Sequence, residues 1–168
     1  RQLADKGCPV YYFYSSERYL VRQAVTAITR ILTADSDEDA TVLDGAAPEI
    51  EQLIMAAGTI SFFGTRRVVV LPEIDPAAYS DKDLEELNST LSSLENAVVV
   101  LGSEFELERS KLKTGKRAQK LIAQCKALGY TEELAKPKPF ELKMMMIDRA
   151  KEQGTSLPDG AAAALLER

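Results

Sequence analysis

Apolar residues fall along this chain in two ways, as short unbroken runs and as longer stretches at helical spacing. Val10-Tyr11-Tyr12-Phe13-Tyr14 is a run of β-formers held between Pro9 and Ser15-Ser16, the form expected of a strand covered on both faces. Leu20, Val21, Ala24, Val25, Ile28, Ile31 and Leu32 then mark one stripe of a helix, with Ser15 or Ser16 as its expected N-cap. An acidic loop, Asp35–Asp39, leads to a brief strand, Thr41-Val42-Leu43, and to a helix over Glu49–Ala57. Gly58 is expected to close that helix in a left-handed conformation. Val68–Leu71 reads as a third strand stopped by Pro72, Leu84–Leu94 as an amphipathic helix, and Ala97–Leu101 as a fourth strand. Leu121, Ile122, Cys125 and Leu128 give the apolar face of another helix, and Gly129–Leu134 suits a short last strand.

Such alternation predicts an α/β fold, a parallel sheet with helices on both faces. Lys136-Pro137-Lys138-Pro139 breaks the pattern with two prolines in four residues, which makes a boundary. Two helical stretches follow, Phe140–Gln153 and Pro158–Arg168, separated by Gly154. The expected division is therefore a domain over residues 1–137 and a small helical one over 138–168. The chain opens on Arg1 and stops inside a helical pattern without a cap, so it is expected to be a fragment of something longer.

The 168 residues suffice for one good core and a piece of a second. With 45% hydrophobic and 28% charged residues, disorder, collagen and a coiled-coil rod are excluded. No apolar run reaches the ~18 residues of a membrane span, and residues 1–6 lack the apolar stretch of a signal peptide. Cys8 and Cys125 lie far apart without metal-ligand spacing, which fits the reducing cytoplasm. The chain has no histidine, which removes His-dependent nucleophilic sites and His-ligated zinc. A formal charge of −5 argues against a free-standing nucleic-acid binder but not against a local basic face.

A first strand running into a helix is where a P-loop would stand. That loop needs glycines to wrap phosphates in N–H groups, a Lys for the β/γ-phosphates and Ser/Thr for Mg²⁺. Here the turn is Phe13-Tyr14-Ser15-Ser16-Glu17-Arg18, with no glycine and with a carboxylate where the helix dipole would favour phosphate. No nucleotide cofactor is expected on it. Between the second helix and third strand lies Gly58-Thr59-Ile60-Ser61-Phe62-Phe63-Gly64-Thr65-Arg66-Arg67. Two adjacent phenylalanines cannot easily share one core, so they either pack under a sheet edge or present an aromatic hot spot to a partner.

From Arg109 to Thr131 there are seven positive charges and no acid. This is either a solvated helix face or a phosphate-facing patch whose binding would weaken with salt. Aromatic residues are not interleaved with it before Tyr130, which gives little support to base stacking. The acidic groups Asp35–Asp39 and Asp81, Asp83, Glu85, Glu86 lack the spacing of a calcium loop and read as solvated surface. Met144-Met145-Met146 cannot share one helix face.

The order of these segments resembles a known family. Tyr11–Val21 is similar to the opening strand and helix of the DNA polymerase III delta subunit of bacterial clamp loaders. Ser61-Phe62-Phe63-Gly64-Thr65-Arg66-Arg67 followed by Val68–Leu71 resembles that family's paired-hydrophobic, paired-arginine signature. Lys111-Leu112-Lys113 through Leu121 resembles its basic helix, and Pro137–Gly154 the opening of its second domain. A glycine usual near Ser15 in the family is missing here. The resemblance implies a RecA-like AAA+ domain without a working P-loop, then the start of a small helical domain, with the family's collar domain outside this chain. It implies no catalysis by this chain itself, as a subunit of a DNA-directed DNA polymerase complex. The implied clamp-binding residues are Phe62 and Phe63, with Ile60, Ser61 and Gly64 shaping the loop. The implied partners are the sliding clamp (beta) and the other clamp-loader subunits, gamma/tau and delta-prime. Lys111, Lys113, Lys116 and Arg117 are candidate residues facing primer-template DNA. The rival readings are a degenerate P-loop regulatory domain and a DNA-binding module built on residues 109–126.

Overall fold

The computed structural model of the protein describes residues 7–36, 38–59, 66–135 and 138–166. The chain divides into two compact units between Leu134 and Ala135.

In the first unit, β1 (Val10–Ser15), β2 (Thr41–Val42), β3 (Arg67–Leu71), β4 (Ala97–Glu104) and a last strand, here β5 (Tyr130–Glu133), form one sheet in the order β2-β3-β4-β1-β5. Every pairing in that sheet is parallel. The expected α/β class is what the chain adopts. Helix α1 (Arg18–Thr33) covers one face; α2 (Ile50–Gly58), α3 (Asp81–Ser92) and α4 (Lys116–Leu128) cover the other. Right-handed crossovers require this division. The connection from β1 to β2 runs one way along the sheet, and the later connections run back the other way.

Side-chain alternation builds the two cores. Val10, Tyr12, Val69, Leu71, Val99 and Leu101 face α2–α4, against Leu53, Leu84, Leu87, Leu91, Leu121 and Cys125. Tyr11, Phe13, Val68, Val70, Val98 and Val100 face α1, against Val21, Val25 and Ile28. Burying each such side chain is worth about 1.5–3 kcal/mol, so α1 is held by its apolar stripe. Burial leaves the three central strands reading as unbroken apolar runs.

Two glycines are fixed by close approach. A Cβ on Gly129 would stand 2.1 Å from the Val10 carbonyl oxygen, and one on Gly102 would stand 2.4 Å from that of Pro72. Both neighbours are backbone, so neither can give way cheaply.

Several local expectations are corrected. The N-cap of α1 is Glu17, with no side-chain cap. The Ser15 hydroxyl instead accepts the Glu17 N–H at 3.2 Å and donates to the Leu134 carbonyl at 2.6 Å, tying the first strand to the end of the last. Gly58 is the final residue of α2, whose C-cap is Thr59 in an extended conformation, so no left-handed glycine closes it. Helix α3 starts at Asp81, earlier than the apolar stripe suggests, because the Ser80 hydroxyl accepts the Asp83 N–H. The basic helix starts only at Lys116. Ahead of it, Leu107–Glu108 and Lys111–Leu112 form an antiparallel hairpin. Its turn residues Arg109 (φ 50) and Ser110 (φ 65) are both left-handed, as a two-residue type I′ turn requires.

The second unit contains α5 (Pro139–Glu152) and α6 (Asp159–Leu166). The Glu141 carboxylate accepts the Lys138 N–H at 2.8 Å at the start of α5. Lys143 Nζ meets Asp159 at 2.5 Å and joins the two helices. Phe140, Met144 and Met145 are exposed within this unit.

Candidate functional site

In a doubly wound sheet the ligand crevice lies at the carboxyl ends of the strands where the chain reverses its direction across the sheet. Here that point lies between β1 and β4. A cleft of about 260 Å³ opens there, lined by Arg18, Arg22, Glu73, Ile74, Asp75 and Glu104 among others. Its cations are already engaged. Arg18 Nε and Arg22 Nε donate to the same Glu73 carboxylate oxygen at 3.0 and 2.6 Å, and Arg18 adds a second bond to the other oxygen. The hydrogen bond from Arg18, joined by that from Arg22, holds the Glu73 carboxyl below its usual range despite partial desolvation. The Glu17 backbone takes the Ser15 hydroxyl, and the Phe105 N–H takes the Ser15 carbonyl at 2.8 Å. These carboxylates and committed arginines present a negative lining, a poor match for a triphosphate.

A buried polar chain braces the strand ends behind this crevice. The Tyr12 hydroxyl donates to Ser103 Oγ at 2.8 Å, and Ser103 Oγ donates to the Ile74 carbonyl at 2.8 Å. Burial pushes the Tyr12 phenol far up.

The opposite end of the sheet holds the α2–β3 corner. Ile60, Ser61, Phe62, Phe63 and Gly64 lie outside the described residues. The segments on either side of them are well tied. Ile50 and Leu53 anchor α2 in the core, while Ile54 and Met55 are exposed at 46% and 72%. The Thr59 hydroxyl donates to the Met55 carbonyl at 2.8 Å. On the far side, Arg66 donates to the Gly7 carbonyl at 3.1 Å, and Arg67 pairs with Glu38 at 2.6 Å. A cleft of about 630 Å³ lies beside this corner, lined by Ile54, Ala57, Thr59, Arg66, Leu94 and Asn96 among others.

The four basic candidates do not act as one group. Arg117 turns toward α3, donating to Asp81 at 2.8 Å and to the Ala77 carbonyl at 3.2 Å. That hydrogen bond holds the Asp81 carboxyl below its usual range. Lys113 stands 4.0 Å from Glu106. Lys111 and Lys116 are exposed, and Lys111 shares a cleft with Lys126, another cation of the same run. Glu38 and Asp81 of the two acidic groups are thus drawn into ion pairs. Among the described residues no cluster of three or more Cys, Asp or Glu could hold a metal ion, and no helix is long and apolar enough to cross a membrane. The Cys125 thiol is buried, and burial pushes it up to about 12.

These features define an α/β domain on an open parallel sheet, with a carboxylate-lined switch-point crevice at one end and hydrogen-bonded flanks of the α2–β3 connection at the other. Residues 11–128 match the family described as DNA polymerase III, delta subunit, and the chain belongs to that family. Among solved structures it is similar to the Bacillus subtilis DNA clamp loader delta protein (YqeN), with a TM-score of 0.61 at 24% identity. The match covers 98% of this chain and 50% of that one, so this chain spans about half the length of that structure. No curated protein matches it.

Proposed function

We propose that this chain is the clamp-gripping part of a clamp-loader delta subunit within the DNA polymerase III holoenzyme. Phe62 and Phe63, shaped by Ile60, Ser61 and Gly64, enter a pocket of the sliding clamp (beta) and favour its opened ring for loading onto primed DNA. What supports this is the family match together with the α2–β3 corner. A short helix pinned by Ile50 and Leu53 on one side, and a core strand tied through Arg66 and Arg67 on the other, bracket the aromatic pair. Both ends of the loop are therefore held, which lowers the ordering cost of presenting an aromatic anchor.

The chain performs no chemistry of its own in this scheme. Residues 1–137 act as an AAA+-like body and 138–168 as the start of a helical domain. Partner subunits of the gamma/tau and delta-prime type, joined through a collar domain outside this chain, supply ATP hydrolysis. Ring opening requires that the Phe pair bind the opened interface more tightly than the closed one, since equal binding shifts nothing.

The test is binding of this chain to a cognate sliding clamp, beside Phe63→Ala and a Phe62→Ala/Phe63→Ala double variant. Truncating a hot-spot aromatic costs about 2 kcal/mol or more, so Phe63→Ala is expected to weaken binding at least ~30-fold. Equal affinity of folded double variant and wild type, or no binding by either, overturns the proposal.

A further inference from the structure

Helix α1 and strand β3 are tied together at both ends. Near the start of α1, Arg18 and Arg22 pair with Glu73, two residues beyond the end of β3. Five residues beyond the end of α1, Glu38 pairs with Arg67, the first residue of β3. Between these ties Val21, Val25 and Ile28 pack in one core with Val68 and Val70, so helix and strand form a braced panel. The two ties differ in their surroundings. Arg67 and Glu38 meet at 2.6 Å with side chains only 22% and 20% exposed. In every other ion pair of the described residues at least one partner is more than half exposed. Exposed pairs contribute little, whereas a pair withdrawn from water leaves an uncompensated charge when one partner is removed.

Backbone bonds place both partners of the withdrawn pair. The Ser36 N–H donates to the Thr33 carbonyl at 3.1 Å, and the Glu38 N–H donates to Ser36 Oγ at 3.1 Å, so Glu38 hangs from the end of α1. The Arg67 N–H donates to the Asn96 carbonyl at 3.0 Å, and its residue stands in register with Ala97 of β4. Phe63 precedes Arg67 by four residues, at most about 14 Å of chain. We propose that Glu38 is a positioning residue for the clamp grip, which acts through Arg67 to latch the carboxyl-side root of the Phe62-Phe63 loop. Its purpose rests on the clamp reading, but the latch is testable without a clamp. With Glu38 neutralised, the Arg67 guanidinium turns toward water and loosens the chain that leads into the loop. A clamp must then order that chain itself, and the cost is subtracted from affinity. The acidic loop Asp35–Asp39 thereby has one member with a task at the far side of the sheet edge.

The test reads the loop in two ways. Chymotrypsin cleavage after Phe62 or Phe63, identified by fragment mass, follows the population of the opened loop when reclosing is fast. Binding to a cognate sliding clamp reads the grip. Glu38→Gln is expected to speed that cleavage about tenfold and to weaken clamp binding about tenfold, the cost of ordering one or two side chains. Glu38→Gln/Arg67→Gln is expected to match the single variant in both readouts, because the latch is already broken, and it leaves no unpaired charge to oppose folding. Glu73→Gln breaks the tie at the other end of β3 and is expected to keep the wild-type cleavage rate and clamp affinity, which a general loss of stability would not. Circular dichroism melting confirms that each variant is folded. Cleavage of Glu38→Gln at the wild-type rate, equal acceleration by Glu73→Gln, or unchanged clamp affinity of Glu38→Gln where wild type binds overturns the proposal. Acceleration confined to the Glu38 variants, with no clamp binding by wild type, overturns the clamp reading and upholds the latch.

Discussion

The buried chain from Tyr12 through Ser103 to the Ile74 carbonyl gives a prediction whose sign is unusual. Both side chains are fully buried, and both bonds measure 2.8 Å. Tyr12→Phe removes one donor and leaves Ser103 still bonded to Ile74, so its expected cost is about 1 kcal/mol. Ser103→Ala strands two buried groups, the Tyr12 hydroxyl and the Ile74 carbonyl. At about 1–3 kcal/mol for each stranded group, with partial relaxation, the expected loss is about 2–4 kcal/mol. Adding Tyr12→Phe to Ser103→Ala then removes a stranded hydroxyl. The double variant should therefore be more stable than Ser103→Ala alone, by about 1 kcal/mol. Urea unfolding followed by far-UV circular dichroism reads this directly. With a slope of about 2 kcal/mol/M, the Ser103→Ala midpoint falls by about 1–2 M and the second substitution returns about 0.5 M. Losses that simply add refute the reasoning, because they would mean the two hydroxyls do not act as one unit.

Two further outcomes follow from ion pairs and burial. The folded Glu73 carboxyl titrates below its usual range because Arg18 and Arg22 bind its charged form. Its contribution is present above the unfolded pKa and is lost as pH falls through the folded one. The stability gap between wild type and Glu73→Gln should therefore be full near neutrality and close on acidification; a gap independent of pH contradicts the pairing. With its thiol raised to about 12 by burial, Cys125 should resist a thiol reagent at mildly alkaline pH in native protein, leaving the half-buried Cys8 as the reacting group. Mass spectrometry with and without denaturant checks this, and rapid native labelling of Cys125 would contradict it.

The central strands were legible because double-sided burial leaves an unbroken mark, and Val10–Tyr14, Val68–Leu71 and Ala97–Leu101 all lie within observed strands. Helix α1 was legible through its apolar stripe, but its cap was not. Whether Ser15 caps a helix or ties down Leu134, 119 residues away, is decided by strand pairing and not by local sequence. The hairpin was not legible, because Arg109-Ser110 carries neither Gly nor Asn, the usual marks of a left-handed turn. Ser80 with Asp83 was a readable start signal for α3 that the apolar stripe alone passed over. Of the candidate site, the run of cations was plain in the sequence. That Arg117 leaves it for Asp81, while Lys126 joins Lys111 at one cleft, depends on the helix phase and on neighbouring elements.

The strand order also shapes how the chain is made. β1 lies in the interior of the sheet, yet Val10 pairs with Val99, and Tyr11 pairs with Tyr130. At about 5–20 residues per second, a ribosome needs roughly 4–18 seconds after β1 to produce its first neighbour and longer to produce its second. Throughout that interval Val-Tyr-Tyr-Phe-Tyr emerges as an unpaired, uncharged, proline-free segment of high β-propensity, the kind that sticks to its own copies. A nascent chain of this design has reason to depend on a holding chaperone until α4 and the last strand have been synthesised.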